Sequence, residues 1–131
     1  MFNNIYQNKN VLLTGHTGFK GSWLALWLAQ MGANVTGYSL QPPTEPNHFQ
    51  LLNLKLKSVI GDVRNTDKLK QIFKEQKPEI IFHLAAQAIV RQSYLEPVET
   101  FASNVMGTVN VLEAARACNT IRAVVIVTSD K

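Results

Sequence analysis

The sequence lacks most of the features that mark secreted, membrane-spanning or metal-binding proteins. Its 131 residues include one cysteine, Cys118, so no disulfide can form within the chain. Apolar runs such as 80–82 and 123–127 are far shorter than the roughly 18–20 residues of a membrane helix. No Cys/His cluster has metal-ligand spacing, and the polar residues 1–10 do not resemble a signal peptide. We therefore expect a cytoplasmic protein without a metal site.

What the chain does contain is enough apolar sequence for a core. Hydrophobic residues make up 46% of the sequence and charged residues 17%, as in a globular domain. The 13 basic and 9 acidic residues leave a formal net charge of +4. The lysines between 55 and 77, however, alternate with apolar residues, which is typical of a solvated face. Neither nucleic acid nor a membrane is an expected partner.

Short apolar runs separated by amphipathic stretches predict alternating strands and helices. Residues 10–14 are β-branched or leucine without polar alternation, which is typical of a parallel strand buried on both faces. Similar runs predict four more strands, at 35–38, 58–61, 79–84 and 123–128. The Pro-rich segment that begins at Gln41 is predicted to be a loop.

Apolar residues at helical spacing predict three helices between these strands. The first is marked by Trp23, Leu24, Trp27, Leu28 and Met31 and ends at Gly32. The second spans 66–76, with an inner stripe of Leu69, Ile72 and Phe73. The third begins at Pro97 and continues through Cys118, marked by Phe101, Val105, Val109, Leu112 and Ala115. This alternation predicts an α/β fold, a doubly wound parallel sheet of the Rossmann type, with ligands bound beyond the carboxyl ends of the strands.

The turn between the first strand and the first helix contains Gly15, Gly18 and Gly21, spaced G-x-x-G-x-x-G. A strand-to-helix turn presents unpaired N–H groups and the positive end of the helix dipole, which together can hold a pyrophosphate. Side chains at Gly15 and Gly18 would keep the backbone away from that group, and one at Gly21 would separate helix from strand. The turn therefore indicates a dinucleotide site.

A second sign of a dinucleotide is Asp62, which follows the third strand and can accept a hydrogen bond from an adenine amino group. The acid expected at the end of the second strand for ribose binding is missing, because Tyr38, Ser39 and Leu40 stand there instead. No arginine nearby offers itself to a 2′-phosphate. Tyr38 and Ser39 are therefore candidate cofactor contacts, and the residues at this position favour NAD over NADP.

The motifs on these elements resemble the extended short-chain dehydrogenase/reductase family. The matching stretches run along essentially the whole chain: the 15–21 turn, Asp62-Val63, HLAA at 83–86 and NVMGTVNVLEAAR at 104–116. Within that family, GHTGFKGSWL, GYSLQPPT, HLAAQAIVRQSY and VTSDK together are similar to the CDP-glucose 4,6-dehydratase branch. That branch makes 3,6-dideoxyhexose precursors for bacterial surface polysaccharide, including lipopolysaccharide.

The resemblance implies an internal redox cycle on CDP-glucose. NAD takes hydride from sugar C4, water leaves across C5 and C6, and NADH returns hydride to C6, which yields a 4-keto-6-deoxy sugar nucleotide. The implied contacts with the pyrophosphate are Thr17, Gly18, Phe19 and Lys20, and those with adenine are Asp62 and Val63. The nicotinamide half would contact Leu84, Ala85, Ala86 and Ser103, and the sugar would contact Gln87.

The resemblance also implies a catalytic triplet, because Ser129, Asp130 and Lys131 match the Thr-Asp-Glu of the related dTDP-glucose dehydratases. Asp130 matches the general acid that protonates the departing C6 hydroxyl, and Ser129 can hydrogen-bond the C4 hydroxyl. Lys131 stands where those enzymes have the glutamate base for C5, so the identity of that base stays open. His16 and His83, which flank turns, are predicted to be structural.

One family feature is missing from the sequence. The family takes its redox base from a Tyr-x-x-x-Lys pair, but Tyr6 is followed four residues on by Asn10, Tyr38 by Pro42 and Tyr94 by Val98. We therefore expect 1–131 to be a partial NAD-binding domain, truncated after about the fifth strand and inactive alone. The pair and a C-terminal substrate domain are expected after Lys131, and the complete enzyme is expected to be a homo-oligomer. Two alternatives stay open: an epimerase or dehydratase for UDP- or dTDP-sugars, and a non-catalytic dinucleotide-binding module.

Overall fold

A computed structural model describes residues 1–129 and contains one parallel sheet in that range. Its strands are β1 (Asn10–Thr14), β2 (Asn34–Ser39), β3 (Lys57–Ile60), β4 (Ile80–His83) and β5 (Ala123–Ile126). They lie in the order β3-β2-β1-β4-β5, and every neighbouring pair is parallel. The chain starts at the centre of the sheet, builds one edge and then crosses to the other. The predicted doubly wound α/β fold is confirmed.

Helices connect the strands. They are α1 (Phe19–Gln30), α2 (His48–Leu52), α3 (Thr66–Gln76), α4 (Val90–Leu95), α5 (Pro97–Phe101) and α6 (Gly107–Arg116), with a π-helical stretch (Ala102–Met106) joining α5 to α6. The prediction of α3 is confirmed to the residue. Neither α2 nor α4 was predicted, and α2 begins inside the Pro-rich segment that we expected to be a loop. None of the helices within 1–129 is long and apolar enough to cross a membrane.

The core consists of two clusters, one on each face of the sheet. On one face, α3 and α6 cover Leu12, Ile81 and neighbouring side chains. On the other face, α1 covers Val11, Leu13 and Val35. Because successive residues of β1 point to opposite faces, an unbroken apolar run was needed to fill both clusters.

Of the residues that marked α1 in the sequence, Leu28 is buried and Leu24 and Met31 pack against the core, but the two tryptophans lie outside it. Trp23 and Trp27 are 50% and 45% exposed, whereas the buried positions are Gly21, Ser22, Ala25 and Leu28. Small residues face the sheet because they let the helix pack close to it, and this leaves the tryptophans outside. Trp23 instead stacks on His48 of α2, with ring centroids 4.3 Å apart.

The helical run after Pro97 shows the same correction. Phe101, Val105, Val109 and Leu112, predicted to mark the helix, are all exposed. The buried residues of α6 are Gly107, Val111, Ala114 and Ala115. The helix also ends at Arg116 rather than continuing through Cys118, which is only partly buried. Ala115, which also marked the helix in the sequence, is buried, so the spacing identified the helix although its bulky apolar residues lie outside the core.

The sheet face beside α1 is only half covered by the residues that the structure describes. Leu13 of β1, Phe82 of β4 and Val125 of β5 form one row across the sheet. Leu13 is buried beneath α1, but Val125 is 43% exposed and Val127 is 47% exposed. An uncovered apolar row on a parallel sheet is unusual, because such sheets are normally covered on both faces.

His16 occupies a space that depends on a glycine in β2. Its ring is fully buried against Phe49, with centroids 4.9 Å apart, and its Nε2 lies 2.7 Å from Ser58 Oγ. Burial lowers the pKa of His16 to about 4, so the ring is neutral at neutral pH. A Cβ at Gly37 would lie 2.3 Å from His16 Cγ, which leaves no room for any side chain there.

We predict that Gly37→Ala lowers the free energy of unfolding by about 1–3 kcal/mol, because the added methyl overpacks the His16 ring. In a His16→Ala background the ring is gone, so the same change should cost little. Thermal unfolding of the four proteins, followed by circular dichroism, measures this double-mutant cycle. Losses that simply add would contradict the contact.

Candidate cofactor-binding site

Most of the sequence-predicted site residues collect at one edge of the sheet, where the parallel strands end. The glycine turn follows β1, Ser39 ends β2, Asp62 follows β3 and residues 84–87 follow β4. The first crossover from β1 leads to β2, whereas β4 lies on the other side of β1. Open α/β sheets bind ligands in a crevice at such a reversal of strand order, which here lies beyond the ends of β1 and β4.

The glycine turn is held by a very close contact between its two ends. Gly15 has a φ of +78°, and its N–H donates to the Tyr38 carbonyl at 3.0 Å. A Cβ at Gly21 would lie 2.0 Å from the Gly15 carbonyl oxygen, so α1 can approach the turn only if residue 21 is glycine. A Cβ at Gly18 would meet only that oxygen, at 3.3 Å. The space beside Gly18 is therefore open.

The first turn of α1 faces this open space. Gly18 is its N-cap, and no side chain within residues 1–129 caps the helix there. Phe19 and Lys20 are exposed on the same turn. The free N–H groups, the positive end of the helix dipole and one lysine form a site that suits a phosphate group.

Thr17 and Ser39 join the turn to the end of β2. Their hydroxyl oxygens lie 2.8 Å apart, and the Thr17 hydroxyl is also 2.9 Å from the Leu40 carbonyl, to which it donates. Both side chains are more than nine-tenths buried. Thr17 was predicted to line the pyrophosphate, but its hydroxyl is directed into the protein. These hydrogen bonds position the turn.

The side chains of Tyr38 and Val63 lie in the core, which leaves their backbone atoms for the predicted cofactor contacts. The Tyr38 hydroxyl donates to the Asp62 carbonyl at 2.8 Å, and burial together with the Asp62 charge raises its pKa to about 12. Tyr38 therefore supports the loop after β3 from below. The Val63 carbonyl accepts a bond from the Asn110 side chain at 3.0 Å, which holds the same loop from α6.

Asp62 carries the carboxylate at this end of the crevice. Hydrogen bonds from the Arg64 guanidinium keep the pKa of Asp62 below its usual range, so the group is ionised at neutral pH. The shortest of these bonds joins Arg64 Nη2 to Asp62 Oδ2 at 2.7 Å. The side chain of Asp62 is 26% exposed, which leaves part of the carboxylate accessible from the crevice.

Residues 84–87 are positioned by two side chains that the sequence did not single out. The Thr14 hydroxyl accepts bonds from the N–H groups of Leu84 and Ala85, each at 3.1 Å. Asn104 forms a two-way amide contact with the Gln87 backbone, accepting from its N–H at 2.7 Å and donating to its carbonyl at 3.0 Å. The sequence signals that could have identified them are the polar Thr14 at the end of an apolar strand and the polar Asn104 within an apolar helical run.

His83 links these two supports through buried hydrogen bonds. Its Nδ1 lies 2.7 Å from Thr14 Oγ1, and its Nε2 lies 3.0 Å from Thr108 Oγ1. Since Thr14 Oγ1 already accepts two N–H groups, its own proton goes to Nδ1, and the His83 proton is on Nε2. Thr108 in turn donates to the Asn104 carbonyl at 2.7 Å. The structural roles predicted for His16 and His83 agree with this burial.

The other predicted site residues have more peripheral places. The Gln87 side chain is held beside its own loop, donating to Thr100 Oγ1 at 3.1 Å. Ala86 is exposed in the crevice, and Ser103 is partly buried in the π-helical stretch. Ser129 is exposed beyond β5. Asp130 and Lys131 lie outside the described residues, so their catalytic roles stay predictions.

Comparison with known proteins gives consistent matches over most of the chain. A family model described as GDP-mannose 4,6 dehydratase matches residues 12–130. The chain is 54% identical over 130 residues to the CDP-glucose 4,6-dehydratase of Salmonella typhimurium. This match covers 98% of the present chain and 36% of that enzyme.

Solved structures agree with the fold. The UDP-glucose 4-epimerase of Brucella ovis in complex with NAD has a TM-score of 0.76 and 30% identity, over 90% of this chain and 35% of that one. A UDP-glucose-4-epimerase of Stenotrophomonas maltophila with bound NAD and formylated UDP-arabinopyranose has a TM-score of 0.83, over 94% of this chain and 38% of that one. At 23% identity it supports the fold alone. The chain thus spans about a third of the length of these proteins.

Proposed function

The chain belongs to the GDP-mannose 4,6-dehydratase family, and on that premise we propose that it is the cofactor-binding part of a dehydratase that acts on CDP-glucose. The observation that carries this proposal is the 54% identity to the Salmonella CDP-glucose 4,6-dehydratase. The product would be a 4-keto-6-deoxy sugar nucleotide. We place it in a cytoplasmic reaction sequence toward 3,6-dideoxyhexoses of surface polysaccharide.

The proposed cofactor is NAD, which when bound would accept a hydride from the sugar and later return it. The open space beside Gly18 and the uncapped first turn of α1 fit its pyrophosphate. The exposed side of the Asp62 carboxylate suits the adenine amino group, and residues 84–86, which follow β4, are proposed to contact the nicotinamide half. NAD is bound in the Brucella ovis epimerase, which supports the same cofactor here.

We predict that the chain binds NAD at least about tenfold more tightly than NADP, because Ser39 and Leu40 at the end of β2 offer no cation to a 2′-phosphate. Gly18→Val should abolish binding of both, since the isopropyl group fills the space assigned to the pyrophosphate. Calorimetric titration with each dinucleotide makes the measurement. The circular-dichroism spectrum of Gly18→Val serves as the control for folding, and tighter NADP binding would contradict the assignment.

We further propose that residues 1–131 form only part of the active enzyme. The sequence contains no Tyr-x-x-x-Lys pair, which the family uses to take the C4 hydroxyl proton. The exposed row at Val125 and Val127 is consistent with further chain packing on that half of the sheet. The Tyr-Lys pair and a substrate domain would then come from sequence after Lys131.

The proposed roles in elimination fall on the end of the chain. Loss of the C6 hydroxyl as water requires a proton donor, and Asp130 follows the strand from which such a group would reach the sugar. Ser129 is proposed to bind the C4 hydroxyl. Lys131 is the candidate for the base that removes the C5 proton, because it stands where related enzymes have a glutamate. Elimination also requires the 4-keto sugar first, because the ketone acidifies the C5 proton.

We predict that this chain, given NAD and CDP-glucose, produces neither NADH nor a 4-keto sugar. The complete protein should dehydrate CDP-glucose, and Asp130→Asn in it should lower the turnover number by about 100-fold or more, because the amide cannot donate the required proton. UDP-, dTDP- and GDP-glucose serve as competing substrates in the same assay. Turnover by the 131-residue chain, full activity of Asp130→Asn or preference for another nucleotide would contradict the proposal.

A homo-oligomer is proposed from the apolar face of α4 and the helical run after it. Leu95, Val98, Phe101 and Val105 are between 49% and 77% exposed there. Contiguous apolar side chains of this kind mark interaction surfaces more often than free surface. A second copy of the chain is the proposed occupant.

Phe101→Glu should shift the complete protein toward the monomer in sedimentation equilibrium, because the charge would be buried in the contact. Leu51→Glu is the matched control, since Leu51 is 75% exposed on α2, away from this face. An unchanged mass for Phe101→Glu, or an equal shift for Leu51→Glu, would contradict the assignment.

A further inference from the structure

We propose that Arg64 and Glu99 form a clamp that orients the Asp62 carboxylate for recognition of the adenine 6-amino group. Both would be positioning residues: Arg64 contacts Asp62, and Glu99 contacts Arg64. Neither is proposed to contact the dinucleotide. This inference rests on the proposed NAD site and adds to it the residues that determine which base is accepted.

Arg64 holds both oxygens of the Asp62 carboxylate. Its backbone N–H donates to Oδ1 at 2.8 Å, its Nε lies 3.1 Å from Oδ1 and 3.0 Å from Oδ2, and its Nη2 donates to Oδ2 at 2.7 Å. A carboxylate can accept about four hydrogen bonds. These four contacts come from three donor groups of Arg64, because Nε is shared between the two oxygens, and they fix the rotation of the carboxylate. The Asp62 side chain is still 26% exposed, which leaves it open to a further donor.

Glu99 anchors the other side of the guanidinium. Arg64 Nη1 donates to a carboxylate oxygen of Glu99, which lies in the first turn of α5. The clamp thus connects the loop after β3 to a helix that arrives from the opposite half of the sheet. The next residue on α5, Thr100, accepts the bond from the Gln87 side chain, so one short helix supports both ends of the crevice.

The backbone beneath Asp62 is already immobilised without the clamp. Tyr38 holds the Asp62 carbonyl and Asn110 holds the Val63 carbonyl, both from elements of the core. Arg64 and Glu99 are 41% and 58% exposed, and ion pairs at that exposure contribute little to folding stability. What the clamp controls is the direction of the Asp62 side chain.

A fixed carboxylate at this place distinguishes an amino group from a carbonyl. An adenine 6-amino group donates to Asp62, whereas the 6-oxo group of hypoxanthine presents an oxygen that the carboxylate repels. Discrimination of this kind depends on orientation, because a mobile carboxylate can turn away from the unfavourable oxygen. The clamp therefore predicts a selectivity effect that is separate from any effect on folding.

The test compares NAD with its deamino analogue, nicotinamide hypoxanthine dinucleotide, by calorimetric titration of this chain. The wild type should prefer NAD by about tenfold. Arg64→Met and Glu99→Gln should weaken NAD binding severalfold and leave the analogue nearly unchanged, so that the preference falls toward unity. Asp62→Asn should remove the preference as well.

Arg116→Met is the matched control, because Arg116 makes the same type of ion pair with Glu113, at 2.8 Å on the exposed side of α6. It should keep the full preference for NAD. The inference is overturned if Arg64→Met weakens both dinucleotides equally or if it keeps the wild-type preference. A wild type that binds neither NAD nor its analogue would overturn the proposed function itself.

Discussion

The contact between the two ends of the glycine turn is the constraint on which the rest of the site depends. At residue 21 the helix backbone comes so close to the Gly15 carbonyl that a single added carbon would lie 2.0 Å from its oxygen. This closeness aims the first turn of α1 at the end of β1. It also brings small residues of α1 against the sheet, which turns Trp23 and Trp27 outward.

Hydroxyl and amide side chains hold the loops around that turn from inside the protein. Thr17 and Ser39 join the turn to β2, while Thr14, His83 and Asn104 join β4 to the helical run after Pro97. Buried polar groups of this kind must satisfy each other, because an unpaired one costs the full price of desolvation. The lowered pKa of His83, caused by burial, keeps the ring neutral and suited to this role.

Binding and chemistry are divided within the proposed function. The described residues bring together an uncapped helix start at a glycine turn and an ionised carboxylate, which together suit a dinucleotide. The proposed proton donor, Asp130, is one of the last residues of the chain. The Tyr-x-x-x-Lys pair that the family uses as its redox base is not in the sequence. Family membership is therefore the ground for the proposed dehydration, while the described residues are the ground for the proposed cofactor site.

The sequence by itself determined the fold class, the strands, the glycine turn and the position of Asp62, because short-range patterns encode them: unbroken apolar runs, helical periodicity and glycine spacing. It also determined the buried stripe of α3, where Leu69, Ile72 and Phe73 are all in the core. For α1 and α6 it did not determine the whole buried face, since bulky residues dominate a periodic pattern but small ones allow close packing. Nor did it predict that Tyr38, Val63 and Thr17 point inward, or that Arg64 meets Glu99. Those relations join residues 22 to 35 positions apart, or depend on which way a strand turns its side chains, and only the tertiary structure decides them.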